Sequence, residues 1–565
     1  MIDGFMRDLL GVSDDDYERS LSTRTQLPMA MFNSLLALID RSGVVEQIAS
    51  WENDTRKSAA GRKPLIPARA VLMLDLLSWL WGHGAHFEEL ARTLAYRLSP
   101  EQFVALGIRR DNAAPGVWYD RAWRAKHRLT RLLDPYHATQ KRKRLSSDEF
   151  AEAQAAYDKE RDTRLYTIAQ ALVRASVGMM PARYHERYRH DVALDSTLVE
   201  ILGRAETNPR SGARRNVDFT AGTYNHAHRD DTSSERPKPG FELDTVTMVD
   251  AKRQIDLDAG RKPAFFPQLI TGIAFHRPGM ITRGPLKAMQ QHSRTFRKAG
   301  VCIADRAFNN LQPDSFQLPI RRLGWETVFD YRKNQVGHQA SVEGKPIIMV
   351  DGQLYVHYMP ERLRHITRWH ANDEKDPSTG RVPTSEERAA AITAREPYRL
   401  KPHGRGADKD GYQRFTYPDP HSYMAFDPAT GKHVRRPSLT GSVTIPPQAD
   451  IVKHLQRHPW GSEAWVKTYG QRNHVESSNK HLKDGRFTDL GDPKKRAGRG
   501  YAFQFLASSM AVVASNIRRI VTALRREARE ATTPKTRKPR RQLAPVRTAV
   551  VDPIDAVGTR GAPPG

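Results

Sequence analysis

At 565 residues the chain is several times longer than one minimal core requires, so roughly two to four folded units are expected. Lysine and arginine number 90 against 64 acids, and the resulting formal charge of +26 favours nucleic acid as counter-ion over an anionic membrane or a simple solubility surplus. The single cysteine, Cys302, excludes a disulfide framework and a cysteine-built zinc site within one chain, and it points to a reducing cytoplasm.

Residues 1–60 read as a lead-in. Met1 to Val12 carries acids and too short an apolar run for a secretory signal. The longest apolar stretches further on are broken by Asp75, or by Gln504 and several serines, so no membrane span is expected. Residues 61–188 read as an all-helical unit, with apolar residues at three and four spacing in Ile66–Leu80, Phe87–Leu98 and Trp118–Leu133, punctuated by Gly82, Gly84, Pro100 and Pro115. The third helix carries Arg121, Arg124, Lys126, His127, Arg128 and Arg131, and Lys141 to Arg144 follow. A helical DNA-binding domain fits this pattern, and a bundle with an ordinary solvated basic face is the alternative.

Residues 189–332 change texture. Asp191–Ile201 alternates as a strand does, with Val192, Leu194 and Leu198 opposed to Ala193, Asp195 and Thr197. Leu243–Val249 and Gln268–Phe275 are the next strands, and Arg204–Arg229 between the first two reads as a mobile basic loop. A helix over Leu286–Lys298, a strand over Val301–Ala304 ending in Asp305, and a strand over Glu326–Tyr331 complete a mixed α/β sheet with helices on its faces. Residues 333–464 interrupt it with strand pieces Ile347–Val350 and Leu354–Tyr358 and a long polar stretch, which reads as an insertion. In residues 465–530 the helices are Gln471–Lys483 and Tyr501–Arg526. Residues 531–565 read as a disordered basic tail, since Pro534–Arg547 holds six cations and no acid.

Chemistry concentrates between Tyr469 and Lys483. On a continuous α-helix, Tyr469, Arg472 and Lys483 lie about 20°, 40° and 20° from Glu476 in projection, so a carboxylate is flanked by two cations and a phenol. Such a stripe suits a metal-binding acid beside a phosphate strand, whereas an exposed helix face with an Arg472–Glu476 ion pair is the plain alternative. Gly470 allows the helix to start later. Metal-assisted phosphodiester cleavage needs further carboxylates from separate elements, and Asp195 and Asp305 are the partners of the right kind. Each taken singly fits a turn or cap equally well. Asp191 and Asp330 are rival acids of lower rank. His185, Glu186 and His190 do not form a zinc box, because histidines five apart lie about 140° apart around a helix, and no phosphate loop ending in Gly-Lys-Ser or Gly-Lys-Thr indicates ATP.

The spacing of Tyr469, Arg472, Glu476 and Lys483 resembles the Tyr-Arg-Glu-Lys signature of bacterial insertion-sequence transposases of the DDE type, the insertion-sequence family four-like group. Asp195-Ser196-Thr197 resembles their first acid motif and Ala304-Asp305-Arg306-Ala307-Phe308 their second, while Phe87-Glu88-Glu89-Leu90-Ala91 resembles part of their helical N-terminal domain. The resemblance spans Pro64 to Arg526. It implies a ribonuclease H-like core with a strand-containing insertion, and Asp195, Asp305 and Glu476 as catalytic ligands of Mg2+ or Mn2+, two ions in all. Tyr469, Arg472 and Lys483 would bind DNA. A water would attack the phosphodiester at the element's end, and the freed 3′ hydroxyl would attack other phosphodiesters. Double-stranded DNA, a homodimer holding two ends, and a place in the bacterial nucleoid are the implied partners and setting, with no membrane and no ATP. Trp369 and Trp460 are candidates to stack on a displaced base, with core packing the alternative for each. A metal-dependent nuclease of the same fold, or a silent DNA-binding repressor, remains open beside transposase.

Overall fold

The computed structural model describes residues 2–17, 26–55, 64–111, 113–139, 144–204, 216, 218–224, 237–280, 284–404, 406–423, 439–486 and 488–532. The expected basic tail, Lys141 to Lys143 and most of the expected basic loop lie outside the described residues. Among those described, no helix is long and apolar enough to cross a membrane.

Among the described residues, the helices that precede the sheet include α1 (Ile2–Leu10), α2 (Met29–Arg41), α3 (Val44–Asp54), α4 (Ala68–Leu80), α5 (Phe87–Arg92), α6 (Pro115–Leu133) and α7 (Lys159–Val177). The helix α4 is apolar on nearly every side, which obliges it to sit in the middle, and Ala70 to Leu80 is buried throughout. By contrast α6 is amphipathic, burying Trp118, Ala122, Ala125 and Leu129 at three and four spacing. The expected helix Phe87–Leu98 divides into α5 and a wider π-type turn over Thr93–Arg97. Among its described residues the lead-in holds α1, α2 and α3.

One of the expected basic residues is not on the surface. Lys126 and Asp75 are an ion pair at 2.6 Å whose side chains are 1% and 2% exposed, so Lys126 ties α6 to α4 and cannot meet DNA. The amphipathic pattern alone does not separate a paired inward charge from a solvated one.

The sheet contains β1 (Val192–Glu200), β2 (Gly222–Tyr224), β3 (Lys238–Met248), β4 (Ile270–His276), β5 (Val301–Ala304) and β6 (Glu326–Phe329). β3 runs antiparallel to β1 on one side and to β2 and β4 on the other, while β5 and β6 continue from β1 in parallel. The expected strands appear within a few residues of their ends. β2 corrects the expected loop, part of which is a short edge strand. Helix α8 (Gly284–Phe296) crosses from β4 to β5. Alternation puts Leu194 of β1 on one face of the sheet, in the large core, and Ala193 on the other, with Trp465 and Val475.

The last two helices of the site region are α9 (Glu463–Tyr469) and α10 (Asn473–Lys483), and the last described element is α11 (Tyr501–Thr532). Helix α11 is buried over most of its length against α7, α4 and β4, so the N-terminal helices and the sheet share one apolar core. The interval 333–464 forms two small three-stranded sheets, with helices over Glu361–Ala371 and Ser385–Ala394 that the sequence reading left as polar chain. Its return lies along β6, where the Arg457 amide donates to Thr327 O at 2.9 Å and the Phe329 amide donates to Gln456 Oε1 at 2.9 Å.

Candidate active site

Parallel pairing sets the first two acids level. Leu194 stands opposite Ala304 across β1 and β5, so the next residues on each strand, Asp195 and Asp305, emerge side by side where β5 ends. Asp305 also caps the short helix Arg306–Asn309 by accepting from the Ala307 amide at 2.7 Å. Its turn role and its place beside Asp195 are therefore compatible.

The third acid arrives from α10. A single 3-10 turn, Gly470–Arg472, separates α9 from α10, so the constant turn of about 100° per residue behind the projection does not hold through it. The consequence is that Arg472 turns inward. Its Nη1 lies 2.6 Å from Glu476 Oε1, and its Nη2 lies 3.4 Å from Asp195 Oδ1 and 3.5 Å from Asp305 Oδ2. One guanidinium thus gathers all three predicted carboxylates. Tyr469 stays on α9 and stacks on Trp465, with ring centroids 4.6 Å apart and planes 10° apart.

Electrostatics follow from crowding three acids around one cation in a partly buried pocket. Asp195, 18% exposed, has its carboxyl pushed up to about 6, chiefly by burial; Arg472 pulls it down, Asp305 and Glu476 push it up, and Asn479 pulls it down through a hydrogen bond. Burial works against charge on Arg472, yet Asp195, Tyr469, Asp305 and Glu476 outweigh it and hold the guanidinium firmly protonated. Burial and then nearby Lys238 lower the Lys483 ammonium, while Asp195 acts in the opposite direction on it. Lys483 is therefore within the field of Asp195. Burial raises the Tyr469 phenol, and Asp330 adds to the rise.

The donor set is three carboxylates with no thiolate or imidazole, which fits a hard divalent cation such as Mg2+ or Mn2+. The site already centres on a cation, the Arg472 guanidinium. Among the described residues, no three acids, histidines or cysteines stand close enough to hold a metal ion as they are.

Of the rival acids, Asp191 lies at the other end of β1, accepting from the Val301 amide at 2.8 Å. Asp330 follows β6 and is nearer the site. It accepts from Trp460 Nε1 at 3.1 Å and from the Tyr331 amide at 2.8 Å, and burial raises its carboxyl. Trp460 and Trp369 are 2% and 9% exposed and packed in separate cores, so neither presents a free ring face to a base. Sequence reasoning passed over Asn479 and Thr245, which hold Asp195. Asn479 stands three residues after Glu476, about 60° around the helix, and that offset was the available signal.

On the N-terminal helices an open groove of about 860 Å³ is lined by Trp123, Arg124, His127, Arg128 and Arg131 of α6 and by Arg161 of α7. Arg128 is partly engaged with Glu52 at 3.1 Å, whereas Trp123 and Arg124 are exposed. The chain matches no protein-family model, and no curated protein matches it.

Proposed function

We infer that the protein is a DDE transposase that cuts double-stranded DNA at the ends of a mobile element and joins those ends to new DNA. The observation that carries this reading is the meeting of Asp195, Asp305 and Glu476, from β1, the end of β5 and α10, on the single guanidinium of Arg472. Three acids distant in sequence have no structural need to crowd one cation, since like charges at such range oppose folding. An antiparallel meander continued by two parallel strands, with acids on its first strand and at the end of the first parallel one, supports a ribonuclease H-like core.

In this reading Asp195, Asp305 and Glu476 would hold Mg2+ or Mn2+, which when bound supplies activation of the attacking oxygen and stabilisation of the leaving one. Arg472 moves from the carboxylates to a phosphate oxygen, exchanging one set of charge-assisted hydrogen bonds for another. Lys483 adds positive charge on the same side. Tyr469 is braced by Trp465, which suits a phenol that donates to a phosphate without moving. The Arg-lined groove on α6 and α7 would track the backbone of the same DNA. A dimer would hold the two ends together.

The test is incubation of the full chain with Mg2+ and duplex DNA carrying the ends that flank its gene, beside Glu476→Ala. Wild type should cleave and join, and the variant should do neither. Cleavage without joining would leave a nuclease, and binding without cleavage a repressor.

A further inference from the structure

The Asp195 carboxylate has two oxygens, and the fold treats them differently. Oδ1 faces Arg472 Nη2, the nitrogen that also meets Asp305 Oδ2. Oδ2 accepts from Asn479 Nδ2 at 3.0 Å. The other end of that amide, Asn479 Oδ1, accepts from Thr245 Oγ1 at 3.0 Å. Thr245 also stands directly opposite Asp195 in the β1–β3 pairing, with its hydroxyl 3.3 Å from Asp195 O. Turned the other way, the amide would set its carbonyl oxygen against a carboxylate, two acceptors with no proton between them. Asn479 is 6% exposed and Thr245 is fully buried, so water offers neither an easy substitute partner.

The geometry points to Asn479, oriented by Thr245, as a positioning residue that fixes the rotation of the Asp195 carboxylate and aims Oδ1 at the guanidinium that Asp305 and Glu476 also meet. The same contact links α10, which carries Glu476, to the strand that carries Asp195. One buried amide therefore sets both the aim of one acid and the distance of another. This rests on the proposed role of the three acids. A carboxylate free to rotate would lose the shared oxygen, and loss of such outer partners lowers metal affinity by about 10- to 100-fold.

The experiment compares the full chain with Thr245→Val, Thr245→Ser and Asn479→Ala. Binding of Mn2+ is measured by the signal of the free ion, and cleavage of the flanking-end duplex is followed across Mn2+ concentration, with thermal unfolding and duplex binding as controls. Thr245→Val, which keeps shape and removes the hydroxyl, should weaken Mn2+ binding by about 10-fold or more and raise the Mn2+ needed for half-maximal cleavage equally. Duplex affinity should stay unchanged. Asn479→Ala should follow Thr245→Val, and Thr245→Ser, which restores the hydroxyl, should return to within about threefold of wild type. Equal Mn2+ affinity in wild type, Thr245→Val and Asn479→Ala overturns the inference while leaving the transposase reading intact. So does an equal loss in Thr245→Val and Thr245→Ser, which would mark a packing effect. A wild-type chain that neither binds Mn2+ nor cleaves overturns both.

Discussion

Two ion clusters in this molecule are built from the same kinds of side chain and differ in balance. Lys126 and Asp75 are sealed between α6 and α4, one cation for one acid, with almost no exposure. Burial pushes the Asp75 carboxyl up and Lys126 draws it back, and the pair closes on itself. Around Arg472 three acids share one cation, and the exposures of Asp305 and Glu476, 32% and 49%, leave the cluster open on one side. With all three ionised, two negative charges stay unmatched. The closed pair is neutral, while the open cluster keeps surplus negative charge on a side that solvent reaches.

The largest effect that would break this contrast is on activity. Asp195→Asn removes one acid from the surplus, and cleavage of the flanking-end duplex should fall by about 1000-fold or more, equivalent to roughly 4 kcal/mol of barrier, with folding intact. Retained cleavage would mean that the open cluster is not the reacting centre. Next in size is Lys126→Met, which strands a buried acid and should cost about 3–5 kcal/mol in denaturant unfolding. Adding Asp75→Leu should recover most of that loss, because both charges are then gone. A small effect of Lys126→Met would erase the distinction between the clusters.

A third cluster tests the intermediate case. His276 Nε2 lies 3.1 Å from Asp244 Oδ2, Glu242 approaches from the other side at 3.5 Å, and Ser196 donates to Asp244. Burial works against the protonated ring, but Asp244, then the Arg277 carbonyl and then Glu242 overcome it and raise the imidazole to about 9. This group is raised above its unfolded value near 6.5, so its stabilisation is complete below that pH and is lost as pH rises through about 9. Thermal unfolding should shift down between neutral pH and pH about 10, by up to about 3 kcal/mol in stability, and His276→Gln should flatten that slope. The smallest expected effect is Asp305→Asn, which relieves like-charge crowding and keeps the cap on the Ala307 amide. Unfolding stability should rise by at most about 1 kcal/mol.

The sheet was legible because a strand buried on one or both faces must alternate or run apolar, as Val192–Glu200 and Val301–Ala304 do. The acids were legible by residue type and motif, but their convergence was not, since it depends on the parallel register of β1 and β5. The stripe from Tyr469 to Lys483 was drawn at a constant turn per residue, and the 3-10 turn at Gly470–Arg472 changes that angle. What looked like four side chains on one line is an arginine turned in and a tyrosine stacked behind it. Lys126 misled because charge and position do not encode a partner 51 residues away. The helices Glu361–Ala371 and Ser385–Ala394 hid in polar sequence because few of their positions are buried.

The path by which residues 333–464 rejoin the sheet has a consequence for solubility. A strand at the rim of a sheet offers unpaired amides and carbonyls to any passing chain. Here the returning segment occupies that rim, through the Arg457 amide on Thr327 and the Gln456 side chain on Phe329. Residues 333–464 therefore shield β6 as a cover strip does, and a chain shortened by cutting them out would uncover an adhesive margin on the sheet. Self-association of such a shortened chain would come from that margin.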